Sequence, residues 1–358
     1  MKKKYFLMCA LAGFMFASCS ESLPDGGDDG GGGNAGGDAW VSLNIQTAGT
    51  TKALHDPDQE NGTAEETKVD KIMAIFFDDH LTVANSNNPN LVSVVSWDTG
   101  DAEIGDPGQP VGKPTKAFKV DKTSKAFLIV LNPSAAFEAN VASASDFTAV
   151  NQAIIGTDVS SVIGADKKNF MMTNAKGKLE PTTITTSGNS TTVVDDDLVT
   201  YATAAEAETN YYSVSVDRVA AKVRLFADIN YPGNSLNINT VGWTLNVTNR
   251  KYYPMSERDK TWLEGTVRGC ITPFDIWKFG SYRKDPNYTG QKGTAITDAS
   301  YIADYHYYTH ATAPTWQNAT ADSTGPNASK TPALYCLENT QVAADNYQAY
   351  TTHVLLKV

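Results

Sequence analysis

Val41, Leu43 and Ile45 alternate with Ser42, Asn44 and Gln46, a period of two that predicts a strand over 40–47 with one inward face. A second, more apolar strand follows at "VDKIMAIFF" (69–77). Between them "QTAGTTKALHDPDQENGTAEETK" (46–68) is polar, with Lys52 near its start. Further strands are predicted at "LVSVVSW" (91–97) and "KAFLIVLN" (125–132), the latter stopped by Asn132-Pro133. Residues 100–114 read as loop. One helix is predicted over 145–156: Ser145 or Asp146 caps it, Phe147, Val150 and Ile154 share a face, and Gly156 ends it. The stretch 169–177 reads as a strand running into a turn, and 178–210 as a strand plus a loop.

A second unit is expected from Tyr211. "YYSVSVDRVAAKVRLFADI" (211–229) alternates at Val214, Val216, Val219, Ala221, Val223 and Leu225 with one shift of phase, the mark of a bulge or a crossover between sheets. "TVGWTLNVTN" (240–249), "ALYCLENT" (333–340) and "YTTHVLLKV" (350–358) are strands, and 280–332 are long loops around short strands. The pattern is all-β: two β-sandwich domains, 40–210 and 211–358, with a minor helix. The sequence stops inside its last apolar run, at Val354, Leu355, Leu356 and Val358. Either that strand serves another molecule or the second sandwich is incomplete.

The leader changes the picture. Lys2, Lys3 and Lys4 precede an apolar run from Tyr5 to Ala17 and then "FASC" (16–19). This is a signal peptide, 1–18, too short to span a bilayer comfortably. An ordinary signal cleaved after a small residue is one reading. The other has Cys19 as the first mature residue with lipid on its thiol, each buried CH₂ contributing about 0.8 kcal/mol. Residues 19–39, rich in Gly and Asp, form a flexible linker.

Charge excludes whole classes of partner. The formal charge is −11 over 358 residues, so no basic footprint exists for nucleic acid, and anionic membrane surfaces repel the chain. Charged residues are only 19%, which fits an exported β-protein better than a cytosolic enzyme. Cys270 and Cys336 remain after export and can pair as a disulfide or stay as two buried thiols. No cofactor and no metal is expected. "HYYTH" (306–310) has metal spacing only if helical, and "VVDDDLV" (193–199) reads as a solvated loop without a calcium-loop glycine. Neither a phosphate loop nor GxSxG occurs, and no carboxylate pair stands out, so the chain is expected not to be an enzyme.

The lipobox "FASC", the first strand followed by "TTKA" (50–53), "FMMTNA" (170–175), "VSVDRVAAKVRLF" (214–226) and "YCLENT" (335–340) occur in an order that resembles the fimbrillin family of type V pilins. The resemblance covers most of the chain and is nearest to shaft subunits. It implies two tandem transthyretin-like, Greek-key sandwiches. It also implies export as a lipoprotein anchored in the outer membrane through Cys19, and removal of an N-terminal segment by a trypsin-like surface protease. That removal takes away the first strand, with Val41, Leu43 and Ile45, and opens a groove that a strand of a neighbouring subunit fills. Homopolymer and accessory fimbrial subunits are then the partners, the cell-surface fimbrium is the location, and adhesion to a host or bacterial ligand of unknown identity is the role.

The chain departs from the family pattern twice. The usual cut follows arginine, whereas Lys52 stands here, so a lysine-tolerant protease would leave Ala53 as the new N-terminus. The second domain of the family usually continues further. If the chain is complete, Val354, Leu356 and Val358 form the candidate donor strand. An unprocessed anchor or tip subunit is the alternative within the family. Outside it stand a surface glycan-binding lipoprotein with stacking aromatics in 280–316 and, more distantly, a glycoside hydrolase.

Overall fold

The computed structural model describes residues 37–47, 66, 68–79, 88–98, 115–155, 159–164, 167–174, 182–187, 190–195, 198–225, 241–255, 286, 303–308, 314–319, 333–339 and 352–357. The fold is all-β. In chain order the strands are β1 (Ala39–Val41), β2 (Leu43–Thr47), β3 (Lys71–Phe77), β4 (Leu91–Asp98), β5 (Phe118–Val120), β6 (Ala126–Leu131), β7 (Ile154–Ile155), β8 (Met172–Asn174), β9 (Thr182–Ser187) and β10 (Ser190–Asp195). They continue with β11 (Tyr212–Arg218), β12 (Ala221–Val223), β13 (Val241–Asn246), β14 (Thr248–Asn249), β15 (Lys251–Tyr252), β16 (Tyr305–His306), β17 (Gln317–Ala319), β18 (Leu334–Cys336) and β19 (His353–Lys357). Four short helices are described in full: α1 (Ala135–Ser143), α2 (Phe147–Val150), α3 (Ser160–Ile163) and α4 (Ala204–Thr209).

A six-stranded sheet, ordered β2-β11-β8-β6-β3-β4, carries the main core. Strands β3 and β6 sit inside it and are buried along nearly their whole length, which explains their continuous apolar runs. One face of β3 presents Phe76 to Phe118 of β5, ring centroids 6.1 Å apart, with Trp97 against the same phenylalanine. The other face presents Phe77 edge-on to Phe147 of α2. The sheet is thus covered by the β1–β5 ladder on one side and by helix on the other. A smaller cluster, Trp243, Leu245 and Cys336 with Val223, Leu225 and Leu334, lies where β12–β18 meets the sheet ordered β17-β13-β19.

Several expectations shift. The strand expected to open the second unit after Tyr211 is split. Its first part, β11, lies between β2 and β8 in the six-stranded sheet, and only β12 pairs with the later β18. The shift of phase is a crossover, placed at Val219 and Ala220, both buried. The helix expected over 145–156 is the four-residue α2, capped by Asp146 on the backbone N–H of Ala149 at 2.9 Å. It stops because Ile154–Ile155 leaves to pair with β15. Helix α1, capped by Ser134, is a helix the periodicity did not reveal. The first part of 193–199 is strand rather than loop, since β10 forms a hairpin with β9. The strand expected over 240–249 breaks at Val247, whose φ of 58° is left-handed.

Candidate functional site

The first strand changes sheet part-way. Residues Ala39–Val41 pair antiparallel with β5, in the register Ala39 to Val120, Trp40 to Lys119 and Val41 to Phe118. On the opposite edge Trp40 and Tyr201 exchange backbone hydrogen bonds of 2.8 and 2.9 Å. Lys119 Nζ lies 5.4 Å from the centre of the Trp40 ring. Gly37 packs so closely against β5 that a Cβ there would sit 2.5 Å from the Val120 carbonyl oxygen.

After Ser42 the chain joins the six-stranded sheet as its edge strand. β2 runs parallel to β11, from Leu43 opposite Tyr212 to Thr47 opposite Val216, and among the described residues this is the one parallel pair in that sheet. Thr115 holds its outer edge. The Thr115 N–H donates to the Leu43 carbonyl at 2.7 Å, Leu43 N–H donates to Thr115 Oγ1 at 3.0 Å, and Ser42 Oγ donates to the Thr115 carbonyl at 2.7 Å. Val41, Leu43 and Ile45 are 0%, 0% and 1% exposed and all belong to the main core. Burying a side chain of this size contributes about 1.5–3 kcal/mol, so each of the three adds materially to the strand's hold. Ser42 and Asn44, read from the sequence as the polar outer face, are also buried.

Lys52 and Ala53 lie outside the described residues, as do Cys19, Val358 and Cys270. Glu66 is the next described residue after Thr47. Its carboxylate accepts from Lys222 Nζ, 2.9 Å to Oε1, and from the Tyr335 hydroxyl, while its carbonyl accepts from Arg218 Nε at 3.3 Å. Burial, then the hydrogen bond to Glu66, raises the Tyr335 hydroxyl above the usual phenol range. Desolvation lowers Arg218, and the neighbouring Glu66 carboxylate opposes that shift. This knot of charge joins the segment before β3 to β11, β12 and β18. Sequence reasoning missed it because Glu66 stands in a polar run, and only its pairing partners distinguish it from its neighbours.

Val354 and Leu356, the described part of the candidate donor strand, lie on β19, antiparallel to β13, with Leu356 opposite Trp243 and Val354 opposite Leu245. They are 38% and 58% exposed, although their partners are buried. Cys336 is a free, buried thiol, and burial pushes its pKa up to about 11. His306 is on β16, extended rather than helical. Among the described residues no group of three or more metal-binding side chains occurs, and no helix is long and apolar enough to cross a membrane.

No protein-family model and no curated protein matches the sequence. Among solved structures, the chain is similar to a candidate cell adhesion protein from Parabacteroides distasonis at 15% identity, covering 89% of this chain and 74% of that one with a TM-score of 0.40. It is similar to a fimbrial assembly protein from the same organism at 12% identity, covering 78% and 79%, TM-score 0.35. A candidate cell adhesion protein from Bacteroides eggerthii gives 13% identity, 91% and 80% coverage, and a TM-score of 0.36. Likeness of this order leaves function to be argued from the chain's own residues.

Proposed function

We propose that the chain is a non-enzymatic structural subunit of a cell-surface fimbria, exported as a lipoprotein through Cys19 and assembled by exchange of its first strand. Cleavage after Lys52 frees residues upstream of Ala53. Strand 39–47 then leaves, and an extended segment of another subunit takes its place. The observation that supports this reading is the seating of residues 39–47: Val41, Leu43 and Ile45 lie deep in the core, β2 stands at a sheet edge, and a polar segment that contains Lys52 joins them to the rest. Vacating it uncovers the backbone edge of β11 beside apolar pockets, a template for strand addition. The knot at Glu66 is downstream of the cut, so the remaining fold keeps its anchor on β11 and β12.

The test is to treat the full chain with a lysine-cutting protease and follow mass and size together. A new N-terminus at Ala53, loss of 39–47 and growth into polymers are expected. A chain that has lost its first strand yet stays monomeric would refute the reading. The presence of lysine instead of arginine at position 52 favours a second reading, an anchor or tip subunit that stays uncut. Material sheared from cells would then begin at a blocked Cys19.

A further inference from the structure

Among the described side chains of β2, the polar one leaves an acceptor without a partner. Asn44 is 1% exposed, and its Oδ1 makes no hydrogen bond. Ser42, equally buried two residues earlier, is satisfied by the Thr115 carbonyl at 2.7 Å. The contrast lies two residues apart in the chain: the same burial, one group paired and one not. In a detached strand the Asn44 amide is solvated by water. Seating β2 removes that hydration and replaces it at Oδ1 with nothing. One feature of the element adds to the effect: the ladder to β11 is parallel, slightly weaker per residue than an antiparallel one.

We propose that Asn44 is a built-in weak point that makes β2 a replaceable occupant of its groove and sets how readily it is released. This rests on the strand-exchange reading above and adds a direction to it. Asn44 pairs in register with Ser213 of β11. A competing strand with an aliphatic residue at the position facing Ser213 fills similar space without stranding an acceptor. Such a strand therefore displaces β2, and β2 does not displace it in return.

The test uses the full chain with Asn44→Val, with Asn44→Ala as a variant that adds no bulk, and with Ser42→Ala as the contrast. Hydrogen exchange of the Leu43–Thr47 amides is measured in the uncut proteins. Asn44→Val is expected to slow exchange by about tenfold, because the stranded acceptor is gone, while Ser42→Ala, which loses a satisfied hydroxyl, speeds it. Exchange as fast as in the natural chain in both Asn44 variants overturns the proposal. If Asn44→Val is too bulky to fold, Asn44→Ala decides by the sign of its effect. Each protein is then cut after Lys52, and the time for which residues 39–47 stay bound is followed by mass spectrometry. Retention lengthened by a similar factor supports the proposal. A fragment that never leaves any variant, with exchange still slowed in Asn44→Val, defeats the strand-exchange reading and leaves the weak point standing. A fragment that leaves all variants equally fast, with exchange unchanged, does the reverse.

Discussion

Leu43 shows how much one side chain of the first strand carries. It is fully buried, its N–H donates to Thr115 Oγ1 and its carbonyl accepts from the Thr115 N–H. Leu43→Ala should cost the uncut chain about 2–5 kcal/mol, read from urea unfolding. The same substitution should be silent in a chain that has already lost residues 39–47. Thr115→Val should cost about 1–3 kcal/mol by leaving the Leu43 N–H unpaired, and it should shorten retention of the cut strand. Cys336 gives a pH signature. Burial raises its folded-state pKa to about 11, so its contribution is complete below the ordinary thiol range and is lost as pH rises through that value. Cys336→Ala should flatten that alkaline loss, and the natural thiol should resist alkylation at neutral pH until the protein unfolds. The inward set Val41, Leu43 and Ile45 was legible because alternation is a property of neighbouring residues. The burial of Ser42 and Asn44 was not, because it depends on Thr115 and on chain far away in sequence.

At the scale of elements, the ends are set by local chemistry and the pairings by distant chain. Helix α1 starts at Ser134, whose Oγ accepts from the Phe137 N–H at 3.1 Å and lies 2.6 Å from the Tyr252 hydroxyl. Ser134→Ala should therefore cost about 0.5–2 kcal/mol for the cap, plus the loss at Tyr252, seen as a lower thermal midpoint. The apolar moment of this helix is weak, with Phe137 and Val141 as its buried residues, so periodicity did not mark it. The edge position of β2 is also a matter of pairing. A strand of the same sequence placed at β3 would be locked between two neighbours and could not be exchanged.

For the molecule as a whole, the decisive tie is the one at Glu66. Glu66, 4% exposed, meets Lys222 and the Tyr335 hydroxyl through its carboxylate and the Arg218 side chain through its carbonyl, linking chain 269 residues apart. Breaking a buried pair leaves uncompensated charge, so Glu66→Ala should cost about 3–5 kcal/mol. That loss should be the same in uncut and cut chains, since Glu66 follows the cleavage segment. A loss confined to the uncut form would mean that the knot depends on the first strand. The pair of measurements separates the part of the fold that the proposed cut removes from the part that must survive it.

What the sequence by itself determined was local: most of the runs that are strands, and which residues of the first strand face inward. These rest on period-two alternation, caps and composition, all readable within a window of neighbours. What only the tertiary structure decided was partnership. β11 joins the six-stranded sheet while β12 leaves it, β2 sits parallel at an edge, and Glu66 finds its cations. Hydrogen bonding in a sheet is made between strands far apart in the chain, and many registers satisfy the same alternation. The choice among them is made by long-range packing, and Asn44, polar in sequence and buried without a partner in the fold, is where that choice left its mark.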